Sequence, residues 1–97
     1  RNYETKEEYL QRLISSKYDR VKIIKGADRI SNFTDLNTDF TNIEKIRITC
    51  EQTNEIIIPM LQSVKMFEYH AENMIIELTD LIYNRMEIIK NFQKNLS

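Results

Sequence analysis

The sequence predicts an all-α protein, and three observations lead to this prediction. Apolar residues in the second half of the chain recur with heptad spacing, in two rows that stay in step. Gly26 and Pro59 are the only residues of their kinds, which leaves few positions for the tight turns of a β-sheet. Charged residues make up 30% of the chain with a net charge of −1, which is typical of a solvated helix surface. This balance lacks the excess of Lys and Arg found in nucleic-acid-binding proteins.

The heptad rows predict which residues contact other helices. One row starts at Leu36 and returns at every seventh residue to Phe92, and Arg85 is its only residue that is not apolar. Each residue of a second row, from Ile46 to Ile88, lies three positions after a residue of the first row. Rows at this offset are the a and d positions of a coiled-coil-like seam. A third row, Leu61, Ile75, Ile82, Ile89 and Leu96, widens the second half of the stripe. From the three rows we predict these helix–helix interface residues: Ile43, Ile46, Cys50, Ile57, Met60, Leu61, Val64, Phe67, Ala71, Met74, Leu78, Leu81, Ile88 and Phe92.

The first predicted helix covers about residues 3–30. Apolar residues recur there every three or four positions, which gives the segment one apolar face. Acidic residues lie in the first turns and basic residues near the end, as the helix dipole favours. Gly26 is either a left-handed C-cap or an interior glycine, and the pattern leaves both alternatives open. The small polar residues of 31–39 predict a turn, because their side chains compete for backbone hydrogen bonds.

The second predicted helix is very long and covers about residues 40–96, with Pro59 inside it. Proline removes a helical hydrogen bond and disfavours helical angles at the preceding residue, Ile58. Residues 56–61 contain no polar residue that could form a loop, and the heptad frame crosses Pro59 without a shift. Two alternatives follow: a continuous helix that is kinked at Pro59, or two helices that meet there.

The predicted architecture is therefore one of two arrangements of long antiparallel amphipathic helices. A continuous second helix gives a helical hairpin, and a break at Pro59 gives a three-helix bundle. In the hairpin, the long helix extends well beyond the first one, because about 28 residues reach only ~42 Å while residues 40–96 reach ~85 Å. The uncovered apolar stripe predicts completion by oligomerisation. We interpret residues 1–97 as a single helical domain or a fragment of a larger protein.

The sequence offers no catalytic, metal or cofactor site. His70 is flanked by Glu68 and Glu72, but residues two apart on a helix point to different sides and do not converge on one ion. Cys50 is the only cysteine and falls on an a position, which predicts a reduced core thiol; a disulfide across a symmetric helix pair is the alternative. Arg85, also on an a position, is expected to lay its stem along the seam, to pair with a carboxylate of a facing helix, or to fix the register.

Charge is divided unevenly along the chain. Residues 1–31 contain eight Lys or Arg and five Asp or Glu, hence +3, and residues 32–97 contain six and ten, hence −4. One interpretation is that the two oppositely charged helices attract each other. The other is a basic strip that contacts anionic lipid headgroups, for which the candidate residues are Arg12, Lys17, Arg20, Lys22, Lys25 and Arg29.

One segment resembles a known family. The run Phe67-Glu68-Tyr69-His70-Ala71, followed by Met74-Ile75, Leu78 and Leu81, is similar to the last long helix of BAR-domain proteins, especially the endophilin-like ones. The resemblance covers some twenty residues and implies a crescent-shaped homodimer that binds curved membrane through basic side chains. This chain departs from the family because it is shorter and its last helix is acidic.

The predicted function is a non-enzymatic scaffold or adaptor that acts through helix–helix contacts. Its expected partners are proteins, either a second copy of the chain or helices of a larger assembly, and not nucleic acid. The alternative is a peripheral membrane-binding module of BAR type that acts in membrane trafficking. The expected location is the cytoplasm, with the membrane surface as the place of the alternative.

Overall fold

The computed structural model describes residues 4–15 and 18–96, and all regular secondary structure in these ranges is helical. The prediction of an all-α protein is confirmed for these residues. The helices are α1 (Lys6–Ser15), α2 (Asp19–Asp35), α3 (Ile43–Gln52), α4 (Ile58–Gln62) and α5 (Glu68–Leu96). A 3₁₀ turn, Phe40–Asn42, leads into α3, and a π-helical turn, Thr53–Ile57, joins α3 to α4.

The first predicted helix is divided into α1 and α2. A capping box begins α1: the Thr5 N–H donates to Glu8 Oε1 at 2.9 Å, and the Glu8 N–H donates to Thr5 Oγ1 at 3.1 Å. Tyr18, with φ −98° and ψ 81°, lies outside the helical region and precedes the first residue of α2. The prediction of one helix over residues 3–30 is therefore wrong at Tyr18. Periodicity did not show the division, because both helices carry apolar residues at the same spacing.

Gly26 is an interior residue of α2 and does not cap it. A Cβ atom at this position would lie 2.9 Å from Met74 Sδ and 3.0 Å from Leu61 Cδ2. The missing side chain therefore lets α2 approach α4 and α5 closely, which offsets the low helix propensity of glycine.

The turn after α2 is shorter than predicted. Residues 31–35 continue the helix, so only the four residues 36–39 of the predicted turn 31–39 are non-helical. The Asn37 side chain accepts a hydrogen bond from the Asp39 N–H at 2.9 Å, and Asn42 Nδ2 donates to the Asn37 carbonyl at 2.6 Å. The side chain of Asn37, one of the polar residues that predicted the turn, thus stabilises it through a local hydrogen bond.

Pro59 lies within a helix and does not break it. Ile58 has φ −64° and ψ −47°, so the expectation that proline would push it from helical angles is wrong. The Ile58 N–H donates to the Thr53 carbonyl, five residues back, which makes the preceding turn π-helical. We attribute this wider turn to the proline ring, which removes one donor and crowds the carbonyl four residues earlier. The chain is thus helical from α3 through α4, which agrees over these residues with the alternative of a continuous helix kinked at Pro59.

The long helix nevertheless ends at Gln62, soon after Pro59. Residues 63–67, the α4–α5 turn, are not helical, and Phe67 takes the left-handed φ of 65°. The prediction of one helix over residues 40–96 is therefore wrong. The heptad row did not reveal the turn, because Val64 within the turn and Ala71 after it are both buried and keep the seven-residue spacing. Gly, Pro and Asn are also absent from residues 63–67, although Gly and Asn are the usual choices for a left-handed angle.

The core lies where α5 packs against α2, α3 and α4, while α1 packs against α4. Both the Pro59 region and the middle of α5 contribute to it. The buried apolar residues of the described chain are Phe33, Ile46, Cys50, Ile56, Ile57, Met60, Leu61, Val64, Ala71, Leu78 and Ile89. Burial of the side chains next to Pro59 explains how packing there offsets the altered backbone hydrogen bonds.

Ile57→Ala tests the importance of this region. Ile57 is 4% exposed, so its truncation should leave a cavity and lower the free energy of unfolding by about 2–5 kcal/mol. Urea denaturation followed by circular dichroism measures the change. Ile76→Ala is the matched control, because Ile76 is exposed and its truncation should change the free energy by no more than about 0.5 kcal/mol. Equal effects of the two substitutions would contradict the placement of Ile57 in the core.

Pro59→Ala tests whether the proline is tolerated or required. Alanine restores a backbone donor and has a much better helix propensity, so the free energy of unfolding should stay unchanged or rise by up to about 3 kcal/mol. The same denaturation experiment measures it. A loss of stability would show that the proline ring itself contributes to packing.

Candidate functional site

The α4–α5 turn is held against the start of α2 by one carboxylate. Asp19 Oδ2 accepts hydrogen bonds from two backbone N–H groups of the turn, that of Lys65 at 2.9 Å and that of Met66 at 2.8 Å. The turn therefore depends on a side chain that lies more than 40 residues earlier in the sequence. We call this arrangement the Asp19 anchor.

Lys22 joins the same cluster from inside the protein. It is 2% exposed, and its Nζ donates to Ser63 Oγ at 2.9 Å and lies 3.6 Å from Asp19 Oδ1. Ser63 Oγ in turn donates to the Met60 carbonyl at 2.6 Å. A buried ammonium group is tolerated only with such partners, so Lys22 has a structural position between α2 and the end of α4.

Arg85 reaches the end of α2. Its Nη2 donates to the Phe33 carbonyl at 3.0 Å, which places a positive charge at the C-terminal end of that helix, where the dipole favours it. Its Nε is buried without a hydrogen-bond partner in the described part of the chain. Of the predicted roles, contact with a facing helix is thus observed, but the acceptor is a backbone carbonyl and not the expected carboxylate.

Cys50 and His70 lie in opposite environments. Cys50 is buried, and burial raises the pKa of its thiol, which the nearby charge of Arg85 lowers to a smaller extent. A thiol of this kind is a poor nucleophile, so Cys50 is a core residue. His70 is exposed on α5. Among the described residues, no group of three or more His, Cys, Asp or Glu side chains is arranged to hold a metal ion.

The structure places most of the predicted interface residues inside this chain. Those that are buried are Ile46, Cys50, Ile57, Met60, Leu61, Val64, Ala71 and Leu78. Those that are partly buried are Ile43, Met74, Leu81, Ile88 and Phe92. Phe67 is 42% exposed, because it lies in the α4–α5 turn and not in a helix. The two heptad rows thus mainly describe contacts among the helices of one chain.

The described residues of the predicted basic strip lie in different environments. Lys22 is buried and is therefore wrong as a contact for an anionic surface. Arg12 pairs with Glu4, with Nε 3.0 Å from Oε2. Arg29 is half-buried, and burial lowers the pKa of its guanidinium. Arg20 is exposed and Lys25 partly so. Lys17 lies outside the described residues.

A different surface, which the sequence analysis did not identify, is apolar and exposed. Tyr69, Ile76 and Tyr83 follow one another at intervals of seven along α5 and are 77%, 61% and 67% exposed. We call these three residues the outer row. They occupy a heptad position different from those of the buried rows. Their own seven-residue spacing was the signal that could have identified them.

A second apolar surface lies near the α4–α5 turn. A groove of about 320 Å³ is lined mainly by Tyr18, Val21, Ile24, Met66 and Phe67. Ile24 is 61% exposed, the same fraction as Ile76 in the outer row. The two isoleucines therefore form a matched pair on different helices, α2 and α5.

Asp19→Asn tests the anchor through its pH dependence. The N–H groups of Met66 and Lys65 lower the pKa of Asp19 in the folded chain, with a smaller contribution from Lys22. The stabilisation should therefore be fully present above about pH 3.9, the ordinary value for Asp, and be lost as the pH falls through the folded-state pKa. Wild-type protein should be more stable than the variant at pH 7, and the difference should shrink in acid.

Urea midpoints measured between pH 2 and 7 give this difference directly. Asp80→Asn is the control, because it removes a carboxylate from an exposed position on α5. A wild-type advantage over Asp19→Asn that is independent of pH would contradict the role of the ionised carboxylate.

Comparison of this chain with protein-family models, with curated proteins and with solved structures finds no match. The resemblance to the last helix of BAR domains therefore stays a prediction. Among the described helices, α5 included, none combines the length and the hydropathy that a bilayer-spanning segment needs.

Proposed function

We propose that this chain is a non-enzymatic interaction module, a scaffold or adaptor that binds other proteins through helix–helix contacts. The observation that supports the proposal is the outer row. Its three large side chains repeat every seven residues on α5 and lie more than half in solvent. An aligned apolar stripe on a helix is what a partner helix covers, whereas exposed apolar residues on a monomer are normally scattered.

The arrangement of the helices supports this proposal. We propose a bundle in which α2 and α5 run in the same direction and the helix between them, from α3 to α4, runs in the opposite one. Asp19, at the start of α2, contacts Met66 just before α5, and Phe33, near the end of α2, contacts Arg85 further along α5. The two contacts are thus in the same order along both helices. The rings of Phe40 and Phe92, 5.6 Å apart, join the start of the middle helix to the end of α5.

In this bundle the outer row lies on the side of α5 that faces away from the core. Ala71 and Leu78 on α5 are buried, and the outer row lies about half a helical turn away from them. The helices of this chain thus leave one face of α5 free for assembly. The buried reduced thiol of Cys50 agrees with the cytoplasm as the location of the module.

Ile76→Glu tests the proposal, and Ile24→Glu is its matched control. Both substitutions place a charge at an isoleucine that is 61% exposed, so both should leave the fold intact by circular dichroism. Affinity capture from cell extract with quantitative mass spectrometry compares three baits: wild type and the two variants. We expect a set of proteins that wild type and Ile24→Glu retain and that Ile76→Glu loses. The same set on all three baits would contradict the proposal.

Two further measurements separate other kinds of assembly. Sedimentation over a dilution series shows whether a second copy occupies the surface, since association would then be lost in Ile76→Glu. Flotation with anionic vesicles tests the alternative of a BAR-type membrane module, for which salt-sensitive binding is expected. Salt-sensitive flotation that Ile76→Glu does not change, without any loss of captured proteins, would favour the membrane function.

A further inference from the structure

The charges beside the outer row determine which helix fits it. Glu72 lies three residues after Tyr69, and Asp80 lies four residues after Ile76. Residues at these separations are neighbours on a helix surface, so both carboxylates border the row. Glu87, four residues after Tyr83, lies there too, although its Oε2 is 3.9 Å from Lys90 Nζ.

The positive charges of this segment do not balance the acids. From Glu68 to Glu87, α5 contains five carboxylates: Glu68, Glu72, Glu77, Asp80 and Glu87. Arg85 is the one Lys or Arg in that range, and it points to the Phe33 carbonyl inside the bundle. The outward face of this part of α5 is therefore an apolar row with an acidic border.

We infer that the occupant of this face is a basic amphipathic helix of another protein, with an apolar residue at every seventh position and Lys or Arg beside it. The inference rests on the proposed function and names the class of partner. From Tyr69 to Tyr83 the row spans 14 residues, or about 21 Å, so about four turns of a partner helix cover it. Basic residues along that helix would lie opposite Glu72, Asp80 and Glu87.

A second copy of this chain fits the face poorly. If two α5 helices pair antiparallel about Ile76, Tyr69 of each faces Tyr83 of the other, and Glu72 of one lies at the same level as Asp80 of the other. If they pair in parallel and in register, each acid lies at the same level as its own copy. Both arrangements place two acidic borders along the same apolar contact, which opposes association. The acidic border therefore selects against self-association and for a cationic partner.

Two synthetic peptides of about 21 residues, or three heptads, test the inference. Both carry Leu at the same heptad positions; one has Lys and Arg beside the Leu residues and the other has Glu. Fluorescence anisotropy measures the Kd of each labelled peptide for the full chain at low and high salt. We expect the basic peptide to bind wild type and Ile24→Glu, and to bind Ile76→Glu at least about tenfold more weakly. Its affinity should fall as salt is added, and the acidic peptide should bind wild type at least about tenfold more weakly than the basic one.

Charge reversal on the face supplies a second test. The double variant Glu72→Lys with Asp80→Lys keeps the outer row, and it should prefer the acidic peptide over the basic one. Equal affinity of wild type for both peptides would overturn the inference while leaving the proposed function in place, because the apolar row would then bind helices without regard to charge. Binding of the basic peptide that Ile76→Glu does not weaken would also overturn it.

Self-association of wild type that Ile76→Glu abolishes would assign the face to a second copy and overturn the inference as well. If neither peptide binds, the inference fails. The proposed function still stands in that case if the Ile76→Glu bait captures fewer proteins than wild type does. If capture loses none either, the proposed function fails with it.

Discussion

The hydrogen bonds between the Asp19 carboxylate and the backbone N–H groups of Lys65 and Met66 are the constraint on which the path of the chain depends. The α4–α5 turn contains no Gly or Pro, and Phe67 holds a left-handed angle that costs a side-chain-bearing residue free energy. A turn with so little local preference needs a partner elsewhere. Asp19 supplies it, and the buried Lys22 links the same carboxylate to Ser63 at the end of α4.

The direction of α5 after this turn decides which of its faces meets water. Because α5 packs against α2, α3 and α4, its positions on that side are buried, and Gly26 allows the close contact with Met74 and Leu61. The outer row is left on the far side with its acidic border. The structural and the proposed functional surfaces are thus two faces of one helix, and the first determines where the second lies.

Helix content and much of the core could be predicted from the sequence, but the burial of Phe33, which lies in the predicted turn, and the path of the chain could not. Heptad spacing indicated Ile57, Leu61 and Val64 as contact residues, and all three are buried. The same spacing suggested a continuous helix. Apolar residues can keep this spacing when one helix lies along a partner, and also when the chain turns and its next helix packs against the preceding ones. The Asp19 anchor involves residues 46 positions apart, and no local pattern reports such a contact. The outer row was overlooked because the longer rows accounted for the amphipathic pattern.

Small-angle X-ray scattering of the dilute wild-type chain tests most directly whether the chain turns back at residues 63–67. The Cα radius of gyration of the structure is 14.7 Å, and the account predicts a scattering value close to this. A continuous helix over residues 40–96 would be a rod of ~85 Å, with a radius of gyration of about 25 Å. A value near that of the rod, at concentrations where sedimentation shows a monomer, would contradict the turn and the proposed bundle that depends on it.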